Sequence, residues 1–154
     1  MTVSDGVAAG ERDDESGDLL AELLAAEGYE VERRLVFDDR AAIADAVVEL
    51  AEDAALVLTT GGTGLGPRDV TPEATAEVVE RPAPGIAEAI RADSFARTPH
   101  GLLSRGIAGV RDRTLVVNLP GSPGGCRDGF AVLQPALRHA LELLAGKQTA
   151  HRQT

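Results

Sequence analysis

Short apolar runs alternate along this chain with stretches whose apolar residues recur at helical spacing, and polar punctuation separates the two. That alternation predicts an α/β fold with a mostly parallel sheet. Leu19, Leu20, Leu23 and Leu24 form a helical stripe that stops at Gly28, a residue suited to the position just past a helix end. Residues 29–36 alternate and predict a strand near a sheet edge. Asp38 and Asp39 stand where a helix N-cap belongs, ahead of a helix whose buried face is Ile43, Val47 and Leu50. Residues 55–60 form a short apolar run, consistent with a strand buried on both faces. Thr71-Pro72-Glu73 predicts a helix start with Thr71 as cap and Pro72 as its first residue. Residues 81–85 break that helix, and Ile86, Ala89 and Ile90 begin another that ends before Thr98-Pro99. Residues 106–110 and 114–119 predict a hairpin joined through Arg111-Asp112-Arg113. Cys126, Phe130, Leu133, Leu137, Leu141 and Leu144 make a final helical stripe, which Pro135 is expected to split or kink. Residues 6–17 read as a charged, mobile loop, and only Met1-Thr2-Val3 precedes the turn at Ser4-Asp5-Gly6, so the first strand is truncated.

The 154 residues suit one domain, placed at residues 1–146, with a polar tail over 147–154. The formal net charge is −10, which argues against nucleic acid as a partner, since such binders carry a basic face. Aromatics are 3% with no Trp, too few for base-stacking platforms. One Cys permits neither an intramolecular disulfide nor a Cys-cluster metal site. No apolar run is long enough to span a membrane, and Met1–Asp5 is not a signal-peptide pattern, so the expected location is cytoplasmic.

The most informative segment is Gly61-Gly62-Thr63-Gly64-Leu65-Gly66-Pro67-Arg68-Asp69. It follows a buried-type strand and precedes a helix, where backbone N–H groups face an anion. It is not a P-loop, because Pro67-Arg68 replaces Lys-Ser/Thr, and it lacks the third glycine of the dinucleotide fingerprint. A tight turn needing positive φ would also use glycine, but four glycines in six residues exceed that need. Asp69 lies just past this loop and Asp38 at the end of the preceding strand. In a parallel sheet both reach the carboxyl edge, where ligands bind. Two carboxylates beside a phosphate site suit Mg²⁺, though capping and loop ordering are the competing roles. Residues 120–125 form a second glycine-proline loop that either borders the same cleft or serves as a rigid turn. Arg12, Arg68, Arg105 and Arg127 sit in or beside loops and could offset phosphate charge, although an exposed arginine is more commonly structural or solvated. The three histidines show no metal-ligand spacing, and Cys126 reads as a small buried hydrophobe.

Leu58-Thr59-Thr60-Gly61-Gly62-Thr63-Gly64, followed by residues 67–74, resembles the MogA/MoaB family of molybdenum cofactor biosynthesis proteins. Val3-Ser4-Asp5, Leu103-Ser104-Arg105 and residues 118–123 agree in order. The resemblance implies a three-layer α/β/α molybdopterin-binding fold, assembled as a homotrimer or hexamer. It implies a nucleotidyltransferase reaction in which molybdopterin and MgATP give adenylyl-molybdopterin and pyrophosphate. The partners implied are molybdopterin, ATP and the molybdenum-insertion protein. Carried over position by position, Asp38 and Asp69 are the catalytic and Mg²⁺-binding acids. Thr60, Gly61, Gly62, Thr63 and Gly64 match the phosphate-binding loop. Ser104, Pro120, Gly121 and Ser122 match positions on the pterin side, and Ser4 and Asp5 border the cleft. The absence of a Ser-His-Asp or Cys-His arrangement accords with this chemistry, which rests on positioning and charge neutralisation. A non-catalytic molybdopterin-binding protein of the same fold is the alternative.

The family opens with several apolar residues before Val3-Ser4-Asp5, which are missing here. Losing four buried side chains would cost about 6–12 kcal/mol, comparable to a domain's whole stability. The native start is therefore expected upstream of Met1.

Overall fold

A computed structural model describes residues 1–146; the tail expected over 147–154 lies outside them. The strands are β1 (Thr2–Val3), β2 (Leu35–Val36), β3 (Leu56–Thr60), β4 (Arg81–Pro82), β5 (Ala108–Arg111) and β6 (Thr114–Leu119). The helices are α1 (Asp5–Ala8), α2 (Glu15–Ala26), α3 (Arg40–Asp53), α4 (Thr71–Val78), α5 (Pro84–Arg97) and α6 (Pro123–Leu144), with a 3-10 turn at Pro99–Leu103. They form one six-stranded sheet in the order β2-β1-β3-β6-β5-β4. The first four of these strands are parallel, and β5 and β4 close the far side antiparallel.

Side-chain alternation along the two longest strands divides the core into two layers. Leu58, Leu115, Val117 and Leu119 pack with Leu20, Ile90, Phe130, Leu133 and Leu137 of α2, α5 and α6. Val57 and Val116 point the other way and meet Val47 and Leu50 of α3. Ile43, Ala44 and Ala74 extend that second layer to Val3 of β1. Helices thus cover both faces, which is why β3 and β6 are continuously apolar apart from a few satisfied polar groups.

Those polar groups tie the layers together. Asn118 is 4% exposed; its Nδ2 donates to Thr59 Oγ1 at 3.0 Å and Thr75 Oγ1 at 2.9 Å. Its Oδ1 accepts from the Ile107 backbone N–H at 3.1 Å. One amide therefore links β3, β6, α4 and the residue preceding β5.

Several local expectations are corrected. The segment 6–17 is not a featureless loop. Ser4 Oγ accepts from Val7 N–H and Asp14 Oδ1 from Gly17 N–H, so the capped helix α1 ends and the capped helix α2 begins inside it. The strand expected over 29–36 shrinks to Leu35–Val36, and Val31 of the alternating run is exposed rather than packed on the sheet. It does form the sheet edge. Thr71 is not a cap: Val70 occupies that position, and Thr71 Oγ1 donates to Gly61 O at 2.9 Å. The breaker at 81–85 contains the edge strand β4. On α5 the buried alanine is Ala87, and Ala89 is exposed. Pro135 does not split α6, which runs unbroken to Leu144. Pro135 and Ala131 are both exposed, so the carbonyl that loses its helical partner faces water.

Replacing Asn118 by Ala orphans two buried hydroxyls and one N–H. We expect at least about 2 kcal/mol loss in urea unfolding; a loss below about 0.5 kcal/mol would show that the amide is not the tie described.

Candidate functional site

The carboxyl ends of β1, β2, β3 and β6 lie along one edge, and the loops leaving them converge. Ser4 follows β1, Asp38 follows β2, Gly61 follows β3 and Gly121 follows β6. They wall an open cavity of about 550 Å³. This is the crevice at which α/β sheets take ligands.

Two glycines let the loops close together. Gly61 has φ +99° and Gly62 φ +65°, a left-handed region costly for any other residue. A Cβ on Gly61 would sit 2.2 Å from Val3 O. The later glycines answer a different need: a Cβ on Gly64 or Gly66 would sit 2.8 Å from Asp69 Oδ2. Positive φ accounts for the first pair and room beside a carboxylate for the second.

The acids at this edge divide their roles. Asp39, not Asp38, caps α3, its Oδ1 accepting from Ala42 N–H at 2.8 Å. Asp38 is freed to face the cavity. It forms a reciprocal lock with Asp5: Asp5 N–H donates to Asp38 Oδ2 at 2.8 Å, and Asp38 N–H to Asp5 Oδ1 at 3.0 Å. Burial raises the Asp38 pKa above the ordinary aspartate value, and the charges of Asp5 and Asp69 add to the rise. Asp5 moves the other way, lowered by the Asp38 N–H and by Arg68, whose Nε and Nη2 donate to it at 3.1 Å. Asp69 both faces the cavity and orders its own loop, accepting from Gly66 N–H at 2.9 Å.

Of the residues singled out from sequence, Ser4, Asp38, Asp69, Thr60, Gly61, Gly62, Gly121 and Ser122 line this cavity together. Asp5, Thr63, Gly64, Ser104 and Pro120 do not. Asp5 sits behind Asp38 in the lock. Thr63 is buried, and its carbonyl accepts from Arg105 N–H at 2.8 Å. Gly64 O accepts from Arg105 Nε at 2.8 Å. Ser104 Oγ accepts from Gly106 N–H at 3.4 Å. Pro120 O accepts from Thr60 Oγ1 at 2.8 Å and from Cys126 Sγ at 3.0 Å. Burial pushes the Cys126 thiol up to about 11, so it is no nucleophile at neutral pH. Ser122 caps α6, accepting from Gly125 N–H at 3.1 Å, and brings the positive end of that helix to the cavity.

Sequence reading singled out Arg12 but missed the wall that Asp13 to Ser16 form beside it. The cap patterns Ser4-x-x-Val7 and Asp14-x-x-Gly17 were the signal that this segment is built. Two arginines named from sequence prove to be structural. Arg68 is bound to Asp5. Arg105 pairs with Glu73 and also donates to Asp69 O at 2.7 Å, clamping the glycine loop from behind.

An α/β domain with a glycine loop, a helix N-terminus and two carboxylates on one edge cavity has the layout of a ligand-binding α/β domain. Residues 1–139 match the family described as "probable molybdopterin binding domain", and the chain belongs to that family. It is 40% identical over 148 residues to the molybdenum cofactor biosynthesis bifunctional protein of Synechococcus elongatus, covering 95% of this chain but 46% of that one. The chain thus spans about half the length of that relative. It is 34% identical over 151 residues to a molybdopterin adenylyltransferase of Helicobacter pylori, covering 95% of this chain and 86% of that one. Its fold matches the molybdopterin biosynthesis enzyme MoaB of Thermus thermophilus with TM-score 0.88 and 47% identity, over 95% and 94% of the two chains. The α/β/α architecture expected from sequence is therefore that of the MogA/MoaB structures. No helix among the described residues is long and apolar enough to cross a membrane.

Arg105→Ala should lower stability by about 1–2 kcal/mol, given its partial exposure, and open residues 61–69 to limited proteolysis. Arg105 lowers the Glu73 pKa, so the pair's contribution is full above the ordinary glutamate value and fades as pH falls through and below it. The gap between wild type and variant should accordingly narrow in acid to what the bonds to Gly64 O and Asp69 O supply; a constant gap across the pH range would contradict the Glu73 pairing.

Proposed function

We propose that the chain is a molybdopterin adenylyltransferase acting in molybdenum cofactor biosynthesis. The observation that carries this reading is the meeting of Asp38 and Asp69 with the Gly61–Gly62 turn on one cavity, in a chain of this family. The terminal phosphate oxygen of molybdopterin attacks the α-phosphorus of ATP. A P–O–P bond forms, the bond to the β-phosphate breaks, and pyrophosphate leaves with its electron pair. Adenylyl-molybdopterin is then ready for a protein that inserts the metal.

The residues present suit Mg²⁺, a cation that uses one or two carboxylates with substrate phosphates. Asp38 and Asp69 would hold it; burial chiefly raises the Asp38 pKa, and the added repulsion from Asp5 and Asp69 is what a cation would relieve. Bound there, Mg²⁺ supplies neutralisation of the ATP phosphate charge. The chain's own groups do the rest. The N–H groups of the glycine loop and of the α6 start orient phosphate oxygens. The Asp5 lock holds Asp38 in place, and no side-chain nucleophile is needed.

The expected location is cytoplasmic. The homotrimer or hexamer implied by the resemblance has a candidate contact surface in Phe95, Leu102 and Leu103, which stand exposed on α5 and the 3-10 turn.

Purified protein with molybdopterin and MgATP should yield adenylyl-molybdopterin and pyrophosphate. Asp38→Asn and Asp69→Asn keep side-chain shape and remove charge. Each should cut turnover at least about a hundredfold while molybdopterin binding persists. Binding without product in the wild type would instead support the non-catalytic binding protein.

The pH profile gives a second check. Asp38 must be ionised to hold the cation, and its pKa is raised, so activity should fall on acidification above the ordinary aspartate range. Higher Mg²⁺ should move that fall to lower pH. An acid limb insensitive to Mg²⁺ would remove Asp38 from the cation's ligands.

A further inference from the structure

The segment joining α1 to α2 forms one wall of the cavity, and Arg12 stands on it at the rim. The chain turns there at Gly10, with φ +73°. Glu11 N–H and Arg12 N–H both donate to Gly6 O, at 2.8 and 3.2 Å. The guanidinium lies over Gly6, where a Cβ would come within 2.8 Å of Arg12 Nε. Its Nη2 donates to Ser4 Oγ at 2.8 Å.

That partner is neutral. Among the described residues Arg12 enters no ion pair, whereas Arg68, Arg105 and Arg40 are engaged by Asp5, Glu73 and Glu77. Arg12 is also the one cation among the described residues lining this cavity, which otherwise presents Asp13, Asp14, Glu15, Asp38 and Asp69. A guanidinium has five N–H donors. A single one is directed to Ser4, which leaves the rest of the fork for a ligand. Any phosphate entering so acidic a cavity meets repulsion that a divalent cation held by Asp38 and Asp69 would offset at one place only. A second anion needs a cation of its own.

We propose that Arg12, seated on Gly6 and braced by Ser4, is the recognition residue for a dianionic phosphate of a substrate. This rests on the adenylyl-transfer reading for the identity of the substrates. The chemistry is shared by the phosphomonoester of the pterin and the terminal phosphates of the nucleotide. Planar, bidentate pairing with phosphate oxygens is what distinguishes Arg from Lys in this role.

The test compares wild type, Arg12→Ala, Arg12→Lys and Gly6→Ala. Inorganic phosphate and pyrophosphate are titrated calorimetrically without Mg²⁺. KM is then measured for molybdopterin at saturating MgATP, and for MgATP at saturating molybdopterin. Arg12→Ala should weaken anion binding about ten- to a hundredfold, the value of a charge-assisted hydrogen bond. Arg12→Lys should recover part of it. Gly6→Ala keeps the charge but displaces the guanidinium, and should also weaken binding. A KM rise confined to the molybdopterin arm assigns the pterin phosphate, and one confined to the ATP arm assigns the nucleotide. The proposal is overturned if folded Arg12→Ala keeps wild-type anion affinity and both wild-type KM values. Should the wild type make no adenylyl product, the adenylyl-transfer reading fails on its own, while the anion titration still decides the role of Arg12.

Discussion

The carboxamide of Asn118 is the point on which the arrangement of this domain turns. A buried amide is costly unless its donors and acceptor are met, and here Thr59, Thr75 and Ile107 meet them. Satisfying that one group fixes β6 against β3, seats α4 and sets the approach to β5. Thr59 and Asn118 are partners in the parallel register, one residue before the ends of their strands. The two loops that follow therefore leave from a common level, close enough that a Cβ on Gly121 would lie 3.1 Å from Gly61 Cα.

What those loops carry is a distribution of charge. Of the acids near the edge, Asp39 is used by a helix start, Asp5 by Arg68 and the Asp38 N–H, and Asp14 by the α2 cap and Arg33. Asp38 and Asp69 remain facing the cavity. Among the arginines near the edge, Arg68 and Arg105 are engaged by carboxylates, whereas Arg12 is held by a hydroxyl. A chain of net charge −10 thus offers an anion local placement rather than overall sign.

Much of this was legible beforehand. The apolar spacing marked β3, β6, α3 and the stripe of α6, because burial on a defined face leaves a periodic trace. The glycine run and the acids on either side of it pointed to the edge cavity, although the glycines themselves answer to positive φ and to room beside Asp69. Elements held by polar contacts were harder to read. The α1–α2 segment looked like a charged loop because its order comes from caps and a backbone turn at Gly10 rather than from apolar periodicity. Pro135 suggested a break that solvent exposure makes harmless.

By itself the sequence determined the fold class and the buried strands and helices, and it pointed to the strand edge where the candidate cavity lies, since these follow from local pattern. The tertiary structure alone decided which of Asp38 and Asp39 caps and which faces the cavity. It also decided that Arg68 and Arg105 are structural while Arg12 is held by a neutral partner, and that Thr71 supports Gly61 rather than its own helix. Most of those outcomes depend on a partner far along the chain, and a hydrogen bond between distant residues leaves no trace in the spacing of either one.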